Sequence, residues 1–259
     1  NIATLNDIPV PQLVAAYKAA EKKMGGAVPP DVGRSGFQPV VDGAVLPFHP
    51  FDPGAPAISA GVPFMVGSNR NEASASINNA VMENITEDRL QAILTEKFPA
   101  KGKHLYEVMR KVHPQVKPVE ILSFVSAQNP MAYLMASRKA AQQAAPAYLY
   151  MFCYQTPVLD ARPRAFHCSE IPFVFNNTAR CETMTGGGEK AAALAGKMAA
   201  AWISFARTGP PGHPGLPLWP SFDNGKGATM LFNHSCAVVN DPDGDARALL
   251  ERIYYNKEK

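Results

Sequence analysis

The 259-residue sequence is short of several things that would each announce a function. No apolar run approaches the roughly 20 residues that cross a bilayer, and the opening "NIATLNDIPV" has neither the basic start nor the apolar stretch of a signal peptide. The first residue is not Met, so a processed or truncated piece is expected. Four cysteines (Cys153, Cys168, Cys181, Cys236) lie far apart with no C-x-x-C pair, which argues against a zinc ribbon or a thioredoxin-like dithiol. Free thiols and disulfides both fit that spacing. Six histidines show no H-x-x-x-H or H-E-x-x-H spacing, and no G-x-G-x-x-G or Walker loop occurs, so metal and nucleotide readings drop out. Charge of one sign is missing too: 25 basic and 22 acidic residues give a net +3 without long like-charge runs, which leaves no footprint for a polyanion.

What is present is a globular composition, 46% hydrophobic, with 24 prolines and 19 glycines as punctuation. Residues 11–24 read as a helix with Pro11 at its start and Gly25-Gly26 after its end. Residues 27–60 are rich in Pro and Gly, and "FQPVVDGAVLP" reads as a short hairpin around Asp42-Gly43. "VPFMVGSN" is a short apolar run closed by turn residues, which suits a strand buried on both faces. Residues 85–145 read as a helical lobe, opened by a capping box at Asn84 and Glu87. "AYLYMFCYQ" and "GATMLFN" supply two further strands, on either side of a long helix over residues 189–207. At the end, Ala246, Leu249, Leu250, Ile253 and Tyr254 form one apolar helical stripe, expected to lie on a sheet. The order is that of the second half of an open α/β sheet with helices on both faces, whose functional groups sit beyond the carboxyl ends of the strands.

Two candidate site residues fall at such ends. Glu72 follows the first strand in "VGSNRNEAS", and His167 lies in the loop after the second, in "RAFHCSEIPFVF". A carboxylate on Nδ1 fixes the tautomer of an imidazole and stabilises its protonated form, leaving Nε2 to face a hydroxyl nucleophile. Glu170 reads as a hydrogen-bond acceptor that holds the histidine loop, and Trp202, Phe205 and Trp219 as core. Sequons at Asn84, Asn176 and Asn233 fit a secreted or periplasmic chain.

From Phe37 to Phe232 the sequence resembles the type-B carboxylesterases, the cholinesterase and lipase branch of the α/β-hydrolase fold. The resemblance rests on G-x-N-x-x-E (Gly67, Asn69, Glu72), the histidine block (His167, Glu170, Phe173, Phe175) and W-x-x-F-A-x-x-G (Trp202, Phe205, Ala206, Gly209), in that order after "FQPVVDGAVLP". It implies a carboxylic ester hydrolase acting on a small-molecule ester through a Ser-Glu-His triad, with Glu72 as acid, His167 as base and no cofactor. The other reading is a relative that kept the fold as a non-catalytic adhesion or binding protein.

Three departures stand out. Cys168 and Ala73 occupy positions where the family usually has glycine. No G-x-S-x-G nucleophile elbow occurs; the nearest imitation, "AISAG" around Ser59, sits between a Pro-rich loop and a strand rather than between a strand and a helix. The Gly-rich oxyanion loop is missing as well. Residues 1–259 are therefore expected to be the C-terminal portion of one catalytic domain, partnered by an N-terminal portion that carries the serine.

Overall fold

The computed structural model describes residues 2–23 and 39–255. Residues 1–49 and 50–259 form two separate compact units. In the first, helix α1 (Val10–Lys23) occupies the expected span; its expected last residue, Met24, lies outside the described residues. The anticipated hairpin does not form over residues 39–47, and Phe37 and Gln38 lie outside the described residues. Asp42 explains the difference: its Oδ1 accepts from the N–H groups of Ala44, Val45 and Leu46, an Asx-type turn that spends the donors a ladder would need. Those N–H groups also hold the Asp42 carboxyl below its ordinary value.

The second unit is built on a four-stranded sheet in the order β1-β2-β3-β4: β1 (Phe64–Asn69), β2 (Ala147–Phe152), β3 (Ala228–Phe232) and β4 (Ala237–Asn240). The first three are parallel, and β4 returns antiparallel to β3. Strand β4 was not foreseen, since "AVVN" is too short and too exposed to show a pattern. β1 is half-buried along most of its length, not buried on both faces as expected, because among the described residues it lies at the sheet's edge with β2 as its only neighbour.

Alternation along the strands sends Tyr148 and Phe152 of β2 to one face, against helix α8 (Gly188–Thr208) with its Leu194 and Met198. Ala147 and Leu149 go to the other, against Ala132 and Ala136 of helix α5 (Gln128–Ala140). Each face is thus covered by one helix, as the period-2 pattern requires. Trp219 is buried in the core under α8, with Trp202 and Phe205 packed against it.

Helices α2 (Glu87–Lys97), α3 (Gly102–Val112) and α4 (Pro118–Phe124) fill much of residues 85–145, while α5 belongs to the sheet. The cap of α2 is Thr86, whose side chain accepts from Arg89 N–H, rather than Asn84, which lies within a 3₁₀ turn. The C-terminal helix α9 (Gly244–Tyr254) has the stripe read from the sequence, but Ala246, Leu249, Leu250 and Tyr254 pack against Leu105, Met109 and Phe124 of the helical layer, not on a sheet. An amphipathic period fixes which face of a helix is buried and says nothing of what covers it. All four cysteines are free.

Candidate active site

Just beyond β1 and β2 the chain brings two distant segments side by side. The parallel register pairs Asn69 with Phe152, and Arg70 N–H donates to Phe152 O at 2.9 Å. The chain leaving β2 then makes an excursion closed by an antiparallel bridge between Thr156 and Arg164. It returns so that Asn71 N–H donates to Ala165 O at 3.0 Å and Asn71 pairs with Phe166 in parallel fashion. Asn71 Oδ1 accepts from Ala165 N–H in turn, at 3.3 Å. Residues 165–167 therefore run beside residues 70–72, and two positions 95 apart in sequence meet.

His167 Nδ1 lies 2.6 Å from Glu72 Oε2. The other oxygen, Oε1, accepts from Asn69 N–H at 2.8 Å. The Glu72 side chain is 8% exposed and that of His167 65%. This asymmetry suits an acid locked in place and a base whose other nitrogen is open to a reactant. With Glu72 ionised, Nδ1 carries the proton and Nε2 presents a lone pair.

The loop around the histidine is tied at each step. Ser169 Oγ donates to Phe166 O at 2.7 Å, and Asn69 Nδ2 donates to the same carbonyl at 2.6 Å and to Glu170 Oε2 at 2.5 Å. Glu170 is thus an acceptor that holds the loop, as read from the sequence. Helix α6 (Ile171–Val174) follows, with the short α7 (Glu182–Thr185) next in the chain, and is anchored by fully buried Phe173 against Phe152 and Tyr154 at ring distances of 5.0 and 4.8 Å. Upstream, the buried Arg164 guanidinium joins Glu83 and Glu120, fastening the histidine's loop to the segments that carry those carboxylates.

Local fields follow from these placements. Burial pushes the Tyr150 phenol up, and Glu170 and Glu72 push it further. The Cys168 thiol is raised by burial and by the same two carboxylates. Cys168 also explains a departure in the sequence. Its φ of 66° lies in the left-handed region, where glycine is at ease and a side chain is strained, whereas Ala73 is not among the left-handed residues. Gly67 is required for another reason: a Cβ there would come within 2.5 Å of the Tyr150 ring.

Ser59 lies in a short 3₁₀ turn (Ala57–Ser59) ahead of β1, and its hydroxyl donates to Pro56 O at 3.0 Å. Among the described residues no group of three or more His, Cys, Asp or Glu side chains is arranged to hold a metal. Sequence reasoning quoted Asn69 in a motif without giving it work, and it missed Asn71 and Arg164. The doubled asparagines of "SNRNE" were the available signal.

A mostly parallel sheet with a helix on each face, and a carboxylate and an imidazole meeting beyond its strand ends, has the architecture of an α/β-hydrolase. An esterase from anaerobic Clostridium hathewayi, described as able to hydrolyse aliphatic aromatic polyesters, superposes with a TM-score of 0.71 at 28% identity, over 96% of this chain and 48% of that one. A carboxylesterase of Geobacillus stearothermophilus gives 0.65 at 27%, over 96% and 50%. The chain belongs to the carboxylesterase family, whose model matches residues 2–244. Among relatives in sequence are the para-nitrobenzyl esterase of Bacillus subtilis, 26% identical over 83% of this chain and 43% of that protein, and the cocaine esterase of Homo sapiens, 34% identical over 71% and 36%. The chain spans half or less of the length of these relatives.

Proposed function

We propose that the complete protein is a serine carboxylesterase acting on small-molecule esters, with this chain supplying the acid Glu72 and the base His167. The observation that carries this reading is the 2.6 Å contact between His167 Nδ1 and Glu72 Oε2. The serine comes from a portion of the protein that precedes this one, and the chain alone is inactive. His167 Nε2 takes the proton from the serine hydroxyl as its oxygen attacks the ester carbonyl. The imidazolium, held by Glu72, returns that proton to the departing alcohol. Water then repeats the cycle on the acyl-enzyme and releases the carboxylic acid. The names of the relatives, para-nitrobenzyl esterase and cocaine esterase among them, support an ester substrate.

The test is p-nitrophenyl acetate hydrolysis by the complete polypeptide, with and without an organophosphate that labels activated serines. His167→Ala is expected to lower kcat on the order of 10⁴-fold or more, and Glu72→Gln on the order of 10³- to 10⁴-fold. Near-normal turnover in either variant removes that residue from the mechanism. No turnover and no labelling in the wild type would favour the non-catalytic binding protein.

A further inference from the structure

We propose that Asn69 is a positioning residue for the reaction, a side chain that ties both flanks of the base to the strand leading to the acid. This rests on the acid and base reading above. Asn69 ends β1 and is 1% exposed, so substrate does not touch it. Its backbone N–H holds the Glu72 oxygen that the imidazole leaves free, at 2.8 Å. Its carboxamide nitrogen donates to the carbonyl of the residue just before the base, Phe166, at 2.6 Å, and to the carboxylate three residues after the base, Glu170, at 2.5 Å. One residue therefore spans both loops.

The chemistry of these partners singles out asparagine. Both are acceptors, so the amide orientation is fixed: nitrogen must face them, with both of its hydrogens in use. The consequence is that Oδ1 is buried without a partner. An orphaned buried acceptor is a cost that an aliphatic side chain would avoid. Packing alone does not account for a polar residue here, whereas a fork of two donors between two acceptors does. A displacement of about 1 Å at such a site is enough to cost on the order of 10²-fold in rate.

Asn69→Asp keeps the shape and reverses the hydrogen bonding. Titratable groups facing this corner are Glu72 after β1, His167, Cys168 and Glu170 from the base's loop, and Tyr150 from β2. A carboxyl at position 69 would sit against Glu170 and share one proton with it, donating one hydrogen bond in place of two. When that proton leaves on raising the pH, two like charges push the loops apart. In the complete polypeptide kcat is expected to fall roughly 10- to 100-fold with KM changed less than about 2-fold, and the pH profile to gain a falling alkaline limb.

Asn69→Ala should lose a similar factor without the new limb. Adding Glu170→Gln to Asn69→Asp lets the glutamine donate to the aspartate, which should remove the limb and recover part of kcat. A wild-type kcat and profile in Asn69→Asp, a loss confined to KM, or no recovery in the double variant would overturn the proposal. Proton NMR of the complete polypeptide gives a readout that does not depend on turnover. The short Nδ1–H to Glu72 bond should give a far-downfield resonance, absent in His167→Ala and weakened or shifted in Asn69→Ala. An unaltered resonance in Asn69→Ala overturns the positioning role. Normal activity in His167→Ala would instead sink the acid and base reading, leaving the resonance to decide about Asn69.

Discussion

Arg164→Met removes one charge from a buried cluster of three and leaves two carboxylates behind. The Arg164 side chain is 5% exposed, with Nη2 at 2.6 Å and Nη1 at 3.1 Å from the two oxygens of Glu83, and Nε at 3.1 Å from Glu120. Breaking a buried pair by deleting one partner costs about 3–5 kcal/mol, because the remaining charge has lost its water as well as its counter-ion. Two features reduce the cost here. Glu83 keeps Lys117 at 3.1 Å and Ser76 Oγ at 3.0 Å, and the carboxylates are 17% and 21% exposed. The expected loss is therefore about 3 kcal/mol, read as a lower midpoint at unchanged slope in urea unfolding of the complete protein. Adding Glu83→Gln and Glu120→Gln should restore most of it, since a cluster neutralised as a whole strands no charge. A loss below about 1 kcal/mol, or a triple variant no better than the single one, would refute the reasoning. The same cluster sets an acid dependence. Burial alone would raise Glu83, but Arg164, Lys117 and Ser76 outweigh it and hold the carboxyl at about 2, against an ordinary 4.5. A folded-state value below the unfolded one means stabilisation that is complete above about 4.5 and lost as pH falls towards 2. Arg164→Met should flatten the stability profile in that window.

Three other substitutions follow from single positions. Gly67→Ala would drive a methyl to 2.5 Å from the Tyr150 ring, which Trp202 and Phe232 hemm in at 5.1 and 5.9 Å, so a loss of about 2 kcal/mol is expected; Tyr150→Leu in the same chain should cost less than additivity predicts. Cys168→Gly should stabilise by about 1 kcal/mol in the same unfolding assay, as it relieves a left-handed φ of 66°; a loss would show that the thiol's packing outweighs the strain. Thr86→Ala should cost about 1 kcal/mol through the lost cap of α2, whereas Asn84→Ala should be near neutral, and the reverse ranking would restore Asn84 as the cap.

The fold was legible in the sequence where structure is local and periodic. The three parallel strands are short apolar runs closed by turn residues, and α8 and α9 show their stripes, so their places along the chain follow from side-chain spacing alone. What failed was whatever depends on a partner. The stripe on α9 needed a cover, and the sequence could not say that helices rather than strands provide it. The hairpin at Asp42 failed for a local reason of a different kind: a side-chain acceptor competes with the ladder for the same N–H groups, and hydrophobic pattern does not register that competition.

The candidate site was legible only as two residues in loops after strands. Glu72 and His167 could be named because one falls just past a strand and the other in the loop after the next, because a carboxylate and an imidazole have a recognised joint chemistry, and because both sit in the ordered motifs of the resemblance. The residues that align them have no such signature. Arg164, Asn71 and Asn69 act through partners distant in sequence, up to 101 positions away, and an asparagine that donates to a distant carbonyl looks in sequence like any turn asparagine. The strain at Cys168 was visible as a missing glycine, but its meaning depends on a backbone angle that no residue type reports by itself. The division follows from the physics. An acid or base is limited to the few side chains that titrate usefully, whereas positioning requires only a donor at the right distance from an acceptor, which many residues supply. The positions that fix the 2.6 Å contact are for that reason the ones a sequence hides and a structure reveals.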